Sequence, residues 1–178
     1  MITIISGTNR ADSHSLKIAK HVHGVYQNLG AKTKLLDLMQ LPVEIFSPTA
    51  YAEKPDSFAP FRESILGSAG LVIVSPEYNG GMPGALKLFI DMLPFPESFE
   101  KKPACFVGLA AGLWGGLRPI EHLQQVFGAR NAYIYPERVF IPGVNEVLGD
   151  DGSIHDQGLI NRLHKQAEGF SAFVQKIN

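Results

Sequence analysis

"MITIISGTNRADSHSLKIAKHVHGVYQNLG", residues 1–30, decides the fold. It opens on an apolar run, Met1-Ile2-Thr3-Ile4-Ile5, and then crosses a turn crowded with a glycine, a threonine, an arginine and two serines. Beyond the turn, apolar residues recur at Ile18, Val22, Val25 and Leu29. A nearly continuous apolar run of this length is the pattern of a strand covered on both faces. Apolar residues three or four apart mark a helix with one buried face, and Gly30 supplies its stop signal. A buried strand feeding a helix through a tight turn is the first half of a βαβ unit.

The alternation continues along the chain. Further strands are expected at Thr33–Leu36, Leu71–Ser75, Cys105–Leu109 and Ala132–Tyr135. Helical stripes fall at Leu86, Phe89, Ile90 and Leu93, ended by Pro94 and Pro96, and at Ile120, Leu123 and Phe127, ended by Gly128. A long one runs through Leu163, Ala167, Phe170, Val174 and Ile177, and a weaker one over Ser57–Leu66 with Asp56 or Ser57 as its cap. Strands alternating with helices predict a parallel sheet with right-handed crossovers. Five strands suit an α/β, flavodoxin-like three-layer sandwich with the strand order 2-1-3-4-5. Leu41–Pro60 and Val139–Ser153, both bearing proline and other turn residues, are expected as surface excursions. The 178 residues suit a single domain spanning 1–178.

Composition excludes several classes. With 16 basic and 17 acidic residues the formal net charge is −1, so no basic face for nucleic acid or a membrane surface is expected. No apolar run approaches the roughly 20 residues that span a bilayer. The N-terminus carries no basic leader and reads as a first strand rather than a signal peptide. Cys105 is the one cysteine, so no internal disulfide forms and a cytoplasmic location is expected. Within Ala104-Cys105-Phe106-Val107 it reads as a buried, inert thiol.

In an open parallel sheet, ligands bind beyond the carboxyl ends of the strands where the strand order reverses. For the order 2-1-3-4-5 this selects the loops after strands 1, 3 and 4. The first, Ser6–Ser15, offers hydroxyls at Thr8, Ser13 and Ser15, a forked cation at Arg10, and the amides of a helix N-terminus, a set suited to a phosphate. It lacks the Walker A lysine and the GxGxxG pattern, which points to a compact phosphomonoester. By itself Ser13 could equally be an ordinary helix cap. The second, "SPEYNGGMPG" at residues 75–84, turns tightly and projects Tyr78 and Asn79. The third, "GLAAGLWGGLRP" at residues 108–119, leaves amides unobstructed before a helix, where they can face a carbonyl or a developing anion. An arginine at position 118 more often pairs with a surface carboxylate. The six histidines are scattered and no general acid–base constellation, Ser-His-Asp order or metal-ligand cluster emerges, so no catalytic side chain and no metal is assigned.

Thr8-x-Arg10-x-x-Ser13, Pro76-Glu77-Tyr78-Asn79 with Pro83-Gly84-x-x-Lys87, and Gly112-x-x-Gly115-Gly116-x-Arg118 together resemble the NADPH-dependent FMN reductase family. The resemblance implies a flavodoxin-like fold and bound FMN reduced by NADPH or NADH. Hydride then passes to an acceptor such as flavin, a quinone, an azo compound or chromate. It implies that Thr8, Arg10, Ser13 and Ser15, joined by the backbone of His14, hold the FMN phosphate. Pro76, Glu77, Tyr78, Asn79 and Gly80 would line the isoalloxazine and ribityl side, and Ala111, Gly112 and Gly115 the pyrimidine end. Family members often carry serine where Ala110 and Ala111 stand. A homodimer or tetramer is implied, with Leu86–Leu93 and the Phe95/Phe99 segment as the expected interface. An electron carrier of the flavodoxin kind, or a non-catalytic binding protein of the same fold, are the alternatives.

Overall fold

β1 (Ile2–Ser6) is buried along its whole length because it lies inside the sheet, between β2 (Thr33–Asp37) and β3 (Gly70–Pro76). β4 (Pro103–Leu109) and β5 (Tyr133–Ile141) follow beyond β3, and every pairing is parallel. The order is therefore β2-β1-β3-β4-β5, as the sequence predicts. These features come from a computed structural model that describes residues 1–149 and 151–177.

Successive side chains of a strand point to opposite faces, so a strand covered on both faces needs apolar residues at every position. Ile2 and Ile4 of β1, Val72 and Val74 of β3, and Cys105 and Val107 of β4 pack against α1 (His14–Asn28) and α6 (Gln157–Ile177). Ile5, Leu71, Ile73, Ala104 and Phe106 face the other way. There they meet α2 (Ala59–Leu66), α3 (Gly84–Met92) and α4 (Leu117–Ala129). Phe127 of α4 sits edge-on between Phe99 and Phe106, at 5.4 and 5.3 Å between ring centres. Each such ring contributes about 1.5–3 kcal/mol by leaving water. Cys105 is fully buried, and burial pushes its thiol pKa up, far above the usual thiol range.

Several sequence expectations need correction. The last strand continues from Tyr133 to Ile141, well past Tyr135. The register jumps from Ala104–Ile134 to Phe106–Arg138, so Tyr135-Pro136-Glu137 bulges outward, and the polar bulge hides the strand's apolar continuation. The buried amide of Gln166 closes the gap by donating to the carbonyls of Phe106 and Glu137, both at 3.0 Å. Val139–Ser153 thus begins inside the strand, with Val139–Ile141 its last three residues. After Ile141 come the four-residue α5 (Val144–Val147) and a bridge between Leu148 and Ile154.

The helix expected over Ser57–Leu66 begins at Ala59, preceded by a 3-10 turn at Asp56–Phe58, and neither Asp56 nor Ser57 caps it. α4 runs through Gly128 to Ala129. Leu41–Pro60 is not only a surface excursion, because Ile45, Ala50 and Phe58 plug the second core. The expected interface face is also taken up inside the subunit: Leu86, Phe89, Ile90, Leu93 and Phe99 are all buried there. Phe95 alone of that set is exposed, beneath the Arg130 guanidinium at 4.8 Å.

Candidate functional site

The loops after β1, β3, β4 and β5 gather at the carboxyl edge of the sheet. In the first, Ser13 takes an extended conformation and its Oγ accepts from the Leu16 amide at 3.2 Å, which starts α1. Among the described residues no acceptor meets the His14 and Ser15 amides, so the positive end of a 15-residue helix is open to an anion. The Arg10 guanidinium lies 5.6 Å over the Tyr78 ring. Thr8 is fully buried, its hydroxyl 2.9 Å from the Tyr78 hydroxyl and accepting from the Arg10 amide at 3.3 Å. Tyr78 therefore braces the first loop from the second.

The second loop is a two-residue hairpin. Tyr78 and Gly81 exchange backbone hydrogen bonds at 3.0 Å, and Asn79 and Gly80 between them have φ of 50° and 76°. Positive φ at both central positions is the mark of a type I′ turn, which Asn-Gly adopts readily. In the third loop the geometry forces glycine at 116: φ is 85°, and a Cβ there would sit 2.9 Å from the Gly108 Cα. The loop is thereby pressed onto the end of β4, and Arg118 at the start of α4 reaches back to Glu77, Nη1 to Oε1 at 3.1 Å. Among the described residues no acceptor meets the Ala111 and Gly112 amides.

Between these loops lie two adjoining cavities of about 350 and 320 Å³, which share Glu77, Ala110 and Ala111 as common walls. The larger holds Arg10, Ser13, His14 and Ser15 at one end and Pro76, Tyr78 and Leu109 along its sides. The smaller is bounded by Asn79, Gly80, Gly112, Trp114 and Arg118. One groove thus runs from an amide-rich end that carries Arg10 and Asp12, past the shared walls of Glu77, Ala110 and Ala111, to a half-exposed tryptophan and arginine.

Comparison with known proteins identifies the family. The sequence model of the NADPH-dependent FMN reductase family matches residues 1–146. The chain belongs to that family. It is accordingly an FMN-dependent NAD(P)H oxidoreductase. A quinone reductase of Escherichia coli K12 is 34% identical over 127 residues, covering 69% of this chain and 68% of the relative. An NAD(P)H-dependent FMN reductase of Pseudomonas aeruginosa is 29% identical, covering 97% of this chain and 94% of the relative. In structure the chain is similar to FerB, a flavoenzyme NAD(P)H:(acceptor) oxidoreductase of Paracoccus denitrificans, with a TM-score of 0.82. That match covers 98% of this chain and 97% of the other at 24% identity.

The residues present in this reductase fit FMN by their chemistry. Free helix amides and Arg10 suit the phosphate, and Pro76, Tyr78 and Leu109 suit a flat ring. Of the residues expected from sequence, Arg10, Ser13, His14, Ser15, Pro76, Glu77, Tyr78 and Ala111 line the larger cavity, and Asn79, Gly80 and Gly112 the smaller. Two stand behind the wall. Thr8 is sealed beneath Tyr78, and Gly115 packs on β5, where its carbonyl accepts from the Ile141 amide at 3.3 Å.

Sequence reasoning missed Val144 and Asn145, which line the larger cavity from the loop after β5. Correct placement of that strand's end would have found them, because a strand beside β4 delivers its loop to the same edge. Among the described residues, no group of three or more His, Cys, Asp or Glu is placed to hold a metal, and no helix is long and apolar enough to cross a membrane.

Proposed function

We propose that the groove seats FMN with its phosphate at Arg10, Ser13 and the α1 N-terminus and its ring between Tyr78 and Ala111, and that the acceptor is a small planar molecule, a quinone or azo compound. Bound FMN supplies the two-electron chemistry, taking hydride from NAD(P)H and giving up electrons to the acceptor. The protein's part is to bind, orient and screen. The carrying observation is the continuity of the groove, in which an anion-binding end and an open aromatic end share the walls Glu77, Ala110 and Ala111.

Ser13 and the free His14 and Ser15 amides fix the phosphate, and Arg10 adds a charge-assisted contact. The unbonded Ala111 and Gly112 amides face negative charge that develops on reduction. Trp114, 59% exposed at the mouth, presents an aromatic face to an incoming flat acceptor. Named relatives point to the same acceptors: quinone reductases of Pseudomonas putida and an NADPH azoreductase of Bacillus.

The protein works as a homodimer in a reducing cytoplasm. Leu113, 82% exposed beside Trp114, is the surface that a second copy covers.

The test is anaerobic spectroscopy. Purified protein with FMN should bleach on adding NADPH and recover its yellow absorbance on adding a benzoquinone, with parallel double-reciprocal plots. A flavin that binds but stays oxidised with NADPH would instead assign an electron carrier. Sedimentation showing a fully active monomer would refute the dimer.

A further inference from the structure

A separate cavity of about 320 Å³ opens at the amino edge of the sheet, the edge away from the groove. Its walls include the first residues of two strands, Pro103 of β4 and Tyr133 of β5, with Ser68, Glu100, Lys101 and Lys102. Neighbouring residues of an extended chain point to opposite sides. Lys101, with φ of 58°, breaks that alternation, and both lysines line the one cavity. Their backbone is pinned: the Lys101 amide donates to the Asn131 carbonyl at 2.8 Å, and the Lys102 carbonyl accepts from the Tyr133 amide at 3.0 Å.

The two amines are differently placed. Lys101 is exposed. Lys102 is partly buried, and its Nζ donates to the Ile65 carbonyl at 2.6 Å, in the last turn of α2. Among the described residues neither lysine forms an ion pair, although Glu100 shares the wall. A partly buried ammonium held by one carbonyl and no counter-ion is pushed toward its neutral form, and burial lowers the Lys102 pKa from the ordinary lysine value. Two cations against one carboxylate leave the wall net positive among the described residues, which favours an anionic reagent.

We infer that Lys102 is an acylation site whose acyl donor is a small acyl phosphate, drawn into the cavity by Lys101. As a neutral amine Lys102 keeps an N–H for Ile65 and offers its lone pair to the donor. The nitrogen bonds to the donor's carbonyl carbon, and the carbon–oxygen bond to phosphate breaks. Inorganic phosphate leaves, and the nitrogen gives its proton to water. Nothing is oxidised or reduced. The product is a neutral amide, so the positive charge at the carboxyl end of α2 is lost while one N–H remains for Ile65. α2 carries Phe61 and Ile65 into the second core, so acylation loosens that packing and leaves the groove at the opposite edge as it was.

In the test the unaltered protein is incubated with acetyl phosphate at about pH 8, and acetylation of each lysine is followed by mass spectrometry. Lys102 should react about threefold faster or more than the exposed Lys20, Lys32 and Lys34, and its rate should level off at a lower pH than theirs. Added inorganic phosphate should compete at the cavity and slow Lys102 alone. Lys101→Gln should abolish the preference for Lys102. Lys102→Arg keeps a cation for Ile65 but removes the nucleophile. Acetyl phosphate should therefore lower the melting temperature of the unaltered protein more than that of Lys102→Arg, with FMN affinity the same in both.

Acetylation of Lys102 no faster than that of the three exposed lysines overturns the proposal. A preference that survives both Lys101→Gln and added phosphate overturns the acyl phosphate as donor. The measurement on the unaltered protein needs no variant, so misfolding of either one leaves the test intact.

Discussion

Arg10→Ala should weaken FMN binding by about five- to thirtyfold and leave riboflavin binding nearly untouched. The estimate starts from a charge-assisted contact to phosphate, about 1.5–3 kcal/mol. From this is subtracted what the side chain already has. Its guanidinium lies 5.6 Å over the Tyr78 ring, a contact of about 0.5–1 kcal/mol at an exposed site, and moving onto a phosphate gives that up. The difference, about 1–2 kcal/mol, is five- to thirtyfold in a dissociation constant. The α1 amides are unchanged by the substitution, so the phosphate keeps part of its site and binding is not abolished. The assay is quenching of flavin fluorescence, run in parallel with FMN and riboflavin at low and high salt. Screening should shrink the difference between variant and unaltered protein as salt rises. Equal weakening of both flavins would show that Arg10 shapes the pocket rather than reads the phosphate. An unaltered FMN affinity would refute the phosphate assignment outright.

Two glycines should respond with opposite signs. Gly116→Ala must place a Cβ against the Leu109 amide and the Gly108 backbone at φ 85°, and a loss above about 2 kcal/mol should lower the melting temperature by several degrees. Gly24→Ala, inside α1 with nothing within 4 Å of the new methyl, should raise stability by about 0.5–1 kcal/mol; a loss there would contradict its open surroundings. Cys105 should resist a thiol reagent such as dithionitrobenzoate in the native protein and react fully in denaturant, because burial raises its pKa and seals it; rapid native labelling would refute this. His21 has its pKa lowered from 6.5 by burial, and its Nε2 has no partner. The unfolded chain then binds the proton more readily, so stability is full above pH 6.5 and falls as pH drops below it. Denaturant unfolding at pH 7.5 and 5 should show a smaller acid loss in His21→Gln, and an identical loss would discount the histidine.

The strands were legible where burial on both faces made them continuous. Ile2–Ser6 and Cys105–Leu109 announce themselves because both sets of alternating side chains meet helices. β5 was legible only to Tyr135, because as an edge strand it is half-exposed and because Pro136 and Glu137 sit in a bulge that no periodicity encodes. The bulge is instead answered by Gln166, a residue 29 positions beyond Glu137, and such a partnership exists only in three dimensions. The same blindness hid Val144 and Asn145 from the site. Apolar spacing also cannot say which neighbour covers a helix, so the stripe on α3 read as an interface although its own subunit buries it.

The site was more legible than the fold's edge because it is made chiefly of turns, and turns are written in residue type. Asn79-Gly80 names a type I′ hairpin, Gly116 a left-handed entry to α4, and Ser13 a helix cap. What residue type does not reveal is which side chains face the ligand and which hold the turns together. Thr8 carries the same hydroxyl as Ser13 and Ser15, yet it is buried under Tyr78 while they line the groove. The position of Ala110 shows the converse. Its amide donates to Ile141 and its carbonyl accepts from Val144, at 3.1 Å each, so main-chain bonds place the third loop whatever side chain stands there. A serine there would add a contact to a wall already fixed. The groove's shape therefore follows from the backbone, and its selectivity is left to the few side chains, Arg10, Glu77 and Arg118, whose charges reach into it.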